Sequence, residues 1–172
     1  MLLTGGAGFR MPTEMGEYVV GAWLRVIAGC DFVNYNVRSS ATGLEGLAEF
    51  DVTAQDLKTN TVYLCEVVTH LDGINYGGYD QTIQKIAEKH ARQREFAARY
   101  LISFTPKYMF WAPRVPVGYM TDKLSELKDL HLIINEGYTQ RIAELREQAH
   151  KTKKDIGNPF FRALQILEHL RS

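Results

Sequence analysis

The fold is decided by residues 47–70, which read LAEFDVTAQDLKTNTVYLCEVVTH. Residues 47–54 alternate polar and apolar side chains with period two, as a half-buried strand does. Residues 61–70 are rich in β-branched side chains, and the polar run at 56–60 between the two segments is typical of a turn. The sequence therefore predicts two antiparallel strands joined as a hairpin.

Around this hairpin, the hydrophobic pattern predicts alternating helices and strands. Thr13 is expected to cap a first helix that stops at Gly29. The other predicted elements are a strand at 32–37, a long helix at 79–101, a strand at 106–112, a short helix at 121–129, a strand at 130–134, a helix at 138–153 and a last helix from Pro159. This order of elements predicts an α/β fold.

Length and composition are those of one globular domain. The chain has 172 residues, of which 45% are hydrophobic and 23% charged. We expect a flexible N-terminal tail at 1–12, an α/β core at 13–135 and a C-terminal helical extension of the same domain at 136–172. No stretch reaches the roughly 20 apolar residues that cross a bilayer, so no membrane location is expected. Cys30 and Cys65 have apolar neighbours and no charged leader precedes them, which predicts a cytoplasmic protein.

The net charge of zero gives no general support for nucleic-acid binding, which would have to depend on local basic segments. Two such segments are present, at 85–99 and at 141–154. Each of them is also the pattern of a solvated helix face.

Two carboxylates of the hairpin are the main candidates for chemistry. Glu66 lies within an apolar strand, where a charge without a counter-ion or hydrogen-bond donors carries a large desolvation penalty. The hairpin brings Asp51 close to it, and two adjacent carboxylates repel unless a proton or a metal lies between them. Oxygen ligands of this kind suit Mg²⁺ or Mn²⁺. The alternative is that Asp51 faces solvent beside the turn, while Glu66 pairs with a lysine or arginine of the long helix.

An acidic residue of the first helix, Glu17, precedes the strand segments EFDV at 49–52 and CEVV at 65–68. With this order of elements, residues 13–112 resemble the core of the PD-(D/E)XK, or restriction-endonuclease-like, superfamily. The resemblance implies a core of helix, three-stranded meander, long helix and strand, followed here by C-terminal helices. In that superfamily the aspartate and the glutamate bind the metal, which implies Asp51 and Glu66 as the metal ligands of this chain.

The family also has a lysine two positions after the glutamate, which helps to activate the attacking water. Here that position is Val68. Some members of the superfamily replace a missing catalytic residue from the neighbouring helix. Lys85 and Lys89 lie one turn apart on the predicted long helix, and we expect Lys89 to supply the cation, with Lys85 as the second choice. His70 shares a strand face with Glu66 and is expected at the rim of the site, as a base or phosphate contact, or as a hydrogen-bonded edge residue.

These expectations favour a metal-dependent phosphodiesterase, an endonuclease that acts on DNA. The alternative is a catalytically inactive relative that binds nucleic acid or a protein partner. A lysine ammonium that points between Asp51 and Glu66 favours the enzyme. A third reading is an interaction domain without metal that forms a homodimer through aromatic side chains, namely Trp111, Tyr108, Phe160 and Phe161.

Overall fold

The computed structural model describes residues 12–38 and 50–171, which form five helices and five strands. In chain order these are α1 (Met15–Val26), β1 (Phe32–Val37), β2 (Phe50–Asp56), β3 (Thr61–Val67), α2 (Tyr79–Tyr100), β4 (Thr105–Ala112), α3 (Tyr119–Ser125), β5 (Leu130–Ile134), α4 (Asn135–Lys151) and α5 (Pro159–His169). Each corresponds to an element predicted from the sequence, and the α/β class is confirmed.

The five strands form one mixed sheet in the order β1-β2-β3-β4-β5. β1, β2 and β3 are antiparallel neighbours, whereas β3, β4 and β5 run parallel. Val52 lies opposite Cys65, so the predicted hairpin is confirmed. Its turn is stabilised by Asp56, whose Oδ1 accepts hydrogen bonds from the backbone amides of Lys58 at 3.0 Å and Thr59 at 3.3 Å.

Helices cover both faces of the sheet. α1 and α4 lie on one face, where Trp23 of α1 packs on Trp111 of β4 with ring centroids 5.4 Å apart. Trp23 also donates its Nε1 hydrogen to Glu144 Oε2 of α4 at 2.7 Å, and α5 packs against both α1 and α4. α2 and α3 lie on the other face, over a cluster that includes Phe110. Because strand side chains alternate, Phe110 faces α2 whereas Trp111 faces α1.

Several element ends differ from the prediction by a few residues; for example, α3 ends at Ser125 rather than 129 and α4 begins at Asn135 rather than 138. Two of the differences affect predicted residues directly. α1 has Glu14 rather than Thr13 at its N-cap, because the Glu17 carboxylate accepts a hydrogen bond from the Glu14 amide at 3.2 Å. β3 ends at Val67, so His70 lies in the loop that follows and not on the strand. In the described residues, β3 pairs with β2 as far as Cys65 and with β4 as far as Val67, and the strand ends where this pairing ends.

Two predicted segments extend outside the described residues. Only Pro12 of the tail predicted at 1–12 is described, and residues 47–49 of the predicted second strand, which include Glu49, lie outside the described part.

The aromatic side chains proposed for a dimer surface are mostly in the core. Trp111, Tyr108 and Phe161 are buried, and Phe160 is half-buried. Their place is explained by alternation on β4 and by the inner side of α5, which packs on α1 and α4. The prediction of a dimer surface made of these aromatic groups is therefore wrong.

The longest helix of the described residues, α2, has 22 residues and carries charged side chains along its whole length. No helix within the described part of the chain is long and apolar enough to cross a membrane.

Candidate catalytic site

A cleft of about 470 Å³ opens at the end of the sheet where β2 begins and β3 ends. Its walls carry carboxylates from three elements: Glu17 of α1, Asp51 of β2 and Glu66 of β3. Lys89 of α2 and His70 of the loop after β3 also line it. The fold thus brings five of the six predicted site residues to one cleft.

Strand pairing places Asp51 and Glu66 side by side. Val52 is opposite Cys65, so one step further along the hairpin Asp51 is opposite Glu66. Glu66 is also in register with Phe110, which faces α2. Both carboxylates therefore lie on the α2 side of the sheet, and their carboxyl groups are within hydrogen-bonding reach of each other.

Asp51 is half-buried and is fixed by the backbone of β3. Its Oδ2 accepts a hydrogen bond from the Val67 amide at 2.8 Å. This contact turns the Asp51 carboxylate toward β3 at the end of the strand farther from the turn. The alternative that placed Asp51 in solvent beside the turn is therefore wrong.

Glu66 is buried, and its protonation depends on its neighbours. Burial and the nearby Asp51 carboxylate raise the pKa of Glu66 from 4.5 to about 8, although the Lys89 ammonium acts in the opposite direction. Glu66 therefore holds a proton more tightly than an exposed glutamate does. A divalent cation bound to the pair would favour the ionised carboxylates instead.

Lys89 reaches the carboxylate pair from the middle of α2. Its ammonium forms an ion pair with Glu66 Oε1. Burial alone would lower the pKa of Lys89. The attraction of the ammonium to the Glu66 carboxylate exceeds this effect, and the pKa of Lys89 is raised above 10.5. Lys89 is therefore an ammonium at neutral pH, which suits charge stabilisation rather than proton abstraction. The same contact is also the helix pairing that the alternative reading expected for Glu66.

Glu17 forms a third wall of the cleft. Its Oε2 accepts hydrogen bonds from the Glu14 amide at 3.2 Å and from Asn36 Nδ2 at 2.9 Å. Burial raises the pKa of Glu17, and these two hydrogen bonds act against that rise. The start of α1 packs directly against Thr69, just after β3, because residue 16 is glycine. A Cβ at Gly16 would overlap Oγ1 of Thr69.

Lys85 and His70 lie around Tyr76, farther from the carboxylate pair. The Lys85 ammonium is 4.9 Å from the centroid of the Tyr76 ring, and the His70 imidazole meets that ring edge-on with centroids 5.9 Å apart. Of the two candidate lysines, Lys89 contacts the carboxylates and Lys85 lines an adjoining pocket.

Sequence reasoning missed two residues of the site, Tyr76 and Asn36. The Tyr76 amide donates to Oγ1 of Thr82 at 2.8 Å, and this places the phenol where the charges of Lys89 and Glu66 act on it. Asn36 has a left-handed backbone with φ of 51°, which asparagine tolerates better than most residues. The glycine-rich loop before α2 was the signal available for Tyr76, and nothing in the sequence singled out Asn36.

Asp51 and Glu66 offer carboxylate oxygens, which are the ligands that a hard divalent cation takes. The Lys89 ammonium already contacts Glu66 from α2. Across residues 12–38 and 50–171, no group of three or more His, Cys, Asp and Glu side chains converges closely enough to hold a metal ion. Two carboxylates alone leave most ligand positions of a cation such as Mg²⁺ to water or phosphate oxygens.

Comparison of this chain with known protein families, with curated protein sequences and with solved structures finds no match.

Proposed function

We propose that this protein is a metal-dependent DNA phosphodiesterase, an endonuclease with a restriction-endonuclease-like core. The observation that carries the proposal is the contact of Lys89 with Glu66 beside Asp51. Through this contact α2 supplies a cation on the side of the sheet where Val68, just after the end of β3, stands in place of the lysine expected of the family. The order of helix, three antiparallel strands, long helix and parallel strand supports the assignment of the core.

In the proposed reaction, a water oxygen attacks the phosphorus of a phosphodiester and one P–O ester bond breaks. A proton of the attacking water passes to solvent, and the departing oxygen takes a proton from solvent, which leaves a phosphomonoester and a hydroxyl group. Asp51 and Glu66 would hold the Mg²⁺, which when bound supplies Lewis acidity toward phosphate and water. The Lys89 ammonium stabilises the negative charge that develops on the phosphate oxygens.

The remaining residues of the cleft have supporting roles in this proposal. Glu17 adds negative charge beside Asp51 and favours a cation in the cleft. His70 is exposed at the rim, where its imidazole can contact a phosphate of the substrate.

A nuclease assay tests the proposal. Single-stranded, double-stranded and branched DNA are incubated with the protein and either Mg²⁺, Mn²⁺ or EDTA. We expect cleavage of at least one substrate with metal, none with EDTA and none with Asp51→Ala. Asp122→Ala, which removes an exposed aspartate of α3, is the matched control and should cleave like the wild type.

A catalytically inactive relative that binds nucleic acid or a protein partner is the second candidate. The ion pair of Lys89 with Glu66 favours this candidate, because the ammonium already neutralises the buried Glu66 charge without a metal. Metal-dependent cleavage that is lost in Asp51→Ala excludes this candidate. DNA binding without cleavage under all these conditions would establish it in place of the enzyme.

A further inference from the structure

A second pocket, of about 300 Å³, adjoins the candidate site on the α2 side. It shares Glu66, Tyr76 and Lys89 with the catalytic cleft, and its rim adds Lys85 and Arg92. The pocket is thus continuous with the place where the scissile phosphate would lie, and its three cations outnumber its two carboxylates, Glu66 and Glu88.

The three cations of this pocket follow the period of the helix. Lys85, Lys89 and Arg92 stand at i, i+4 and i+7 on α2, so they lie on one face. The helical rise separates them by about 6 Å and about 4.5 Å along the axis. A nucleic-acid strand also presents its phosphates a few ångströms apart, about 3.4 Å along the axis for one strand of a duplex, so the two repeats are of the same order.

Two of these cations are available to a ligand. Neither Lys85 nor Arg92 forms an ion pair with any residue in the described ranges. The acidic residue that borders the same pocket, Glu88, accepts a hydrogen bond from Gln84 Nε2 at 2.9 Å. Lys85 is held at the rim by its contact with the Tyr76 ring, which reduces the conformational entropy lost when it binds an anion.

We propose that Lys85, Lys89 and Arg92 bind three successive phosphates of one nucleic-acid strand, with the scissile phosphate at Lys89. This inference rests on the proposed function and adds the path of the bound strand and the residues that contact its phosphates. Regularly spaced cations on one helix face match a repeating anion, whereas a mononucleotide or a small phosphodiester could engage only part of the row. The substrate is therefore a polynucleotide strand that runs along α2.

The test is equilibrium binding of a short fluorescein-labelled single-stranded DNA in EDTA, measured by anisotropy at several salt concentrations. Each phosphate contact contributes about 0.7 to the slope of log affinity against log salt concentration. Lys85→Ala and Arg92→Ala should each weaken binding and reduce the slope by about 0.7. Arg94→Ala is the matched control, because Arg94 lines a groove on a different side of α2 and its loss should leave the slope unchanged.

The outcomes separate this inference from the proposed function. The inference is overturned if the salt slope of DNA binding is the same in the wild type, Lys85→Ala and Arg92→Ala. This holds even if the protein cleaves DNA. The inference is also overturned if Arg94→Ala loses as much affinity and salt slope as Lys85→Ala and Arg92→Ala do. That result would indicate unspecific attraction of DNA to positive charge. Absence of binding by the wild type overturns it as well, whereas the proposed function is decided by the cleavage assay.

Discussion

The Glu66 carboxyl group is buried between Asp51 and Lys89, and its titration makes the stability of the folded protein depend on pH. Because its pKa is raised from 4.5 to about 8, the folded protein binds this proton more tightly than the unfolded chain does. The resulting stabilisation is complete below pH 4.5 and is lost as the pH rises through about 8. A glutamine at this position cannot titrate.

We therefore expect the metal-free wild type to lose stability between pH 4.5 and about 8, and Glu66→Gln to lose less. Burial also raises the pKa of Glu17, so a smaller loss of the same sign should remain in the variant. The measurement is the free energy of unfolding from urea denaturation across this range. Parallel pH profiles of the two proteins would show that Glu66 does not hold its proton more tightly in the fold.

The residues of the site differ in how far the sequence could predict them. Asp51 and Glu66 stand out in the sequence because a carboxylate buried on a strand needs a cation or a hydrogen-bond donor as its partner. The choice between Lys85 and Lys89 depends on how α2 is rotated against the sheet, which the sequence does not determine. Tyr76 depends on a loop whose path is fixed by a hydrogen bond to Thr82, a tertiary contact that local patterns do not encode.

At the scale of elements, α1 is held against β1 by a close approach at a glycine. A Cβ at Gly21 would overlap the Tyr35 ring, and the Tyr35 hydroxyl accepts a hydrogen bond from Asn158 Nδ2 at 3.2 Å. The ring therefore has little freedom to move away, because it is held from the α5 side as well. This contact also fixes the helix that carries Glu17.

We expect Gly21→Ala to lower the free energy of unfolding by about 1 to 3 kcal/mol, as overpacking commonly does. Gly137→Ala is the matched control in α4, since nothing lies within 4 Å of its Cβ position. This second change should stabilise the protein by up to about 1 kcal/mol, because alanine favours a helix more than glycine does. Thermal and urea unfolding measure both changes, and a shift of the same sign and size in the two variants would contradict the close packing at Gly21.

Most element bounds could be predicted because hydrophobic periodicity persists along each segment. β1 and β5 were placed at their observed bounds, and α2 at nearly its observed length. The prediction was less accurate where an end depends on tertiary contacts. β3 ends at Val67, where its pairing with β4 ends, although the β-branched pattern itself continues to Thr69.

On the scale of the whole molecule, a metal held by Asp51 and Glu66 would link two strands that meet only in the folded state. A ligand that binds only the folded protein stabilises it by RT ln(1 + [L]/Kd), about 2.7 kcal/mol at a hundredfold excess over Kd. We expect millimolar Mg²⁺ or Mn²⁺ to raise the melting temperature of the wild type. Asp51→Asn should abolish this rise, and an unchanged melting temperature of the wild type with both metals would count against the metal site.

In the proposed reaction, Lys89 supplies from α2 the positive charge that Val68, just after β3, cannot supply. The most direct measurement is the single-turnover rate of DNA cleavage at saturating protein and Mg²⁺, compared among the wild type, Lys89→Ala and Lys85→Ala. We predict a rate lower by roughly 10²-fold or more for Lys89→Ala, with metal binding and fold retained, because a charge contact of the transition state is lost. Lys85→Ala, which removes a lysine that contacts Tyr76 and not Glu66, should lose much less of the rate than Lys89→Ala, and Val68→Lys added to Lys89→Ala should recover part of the lost rate. Cleavage by Lys89→Ala at the rate of the wild type would contradict the claim.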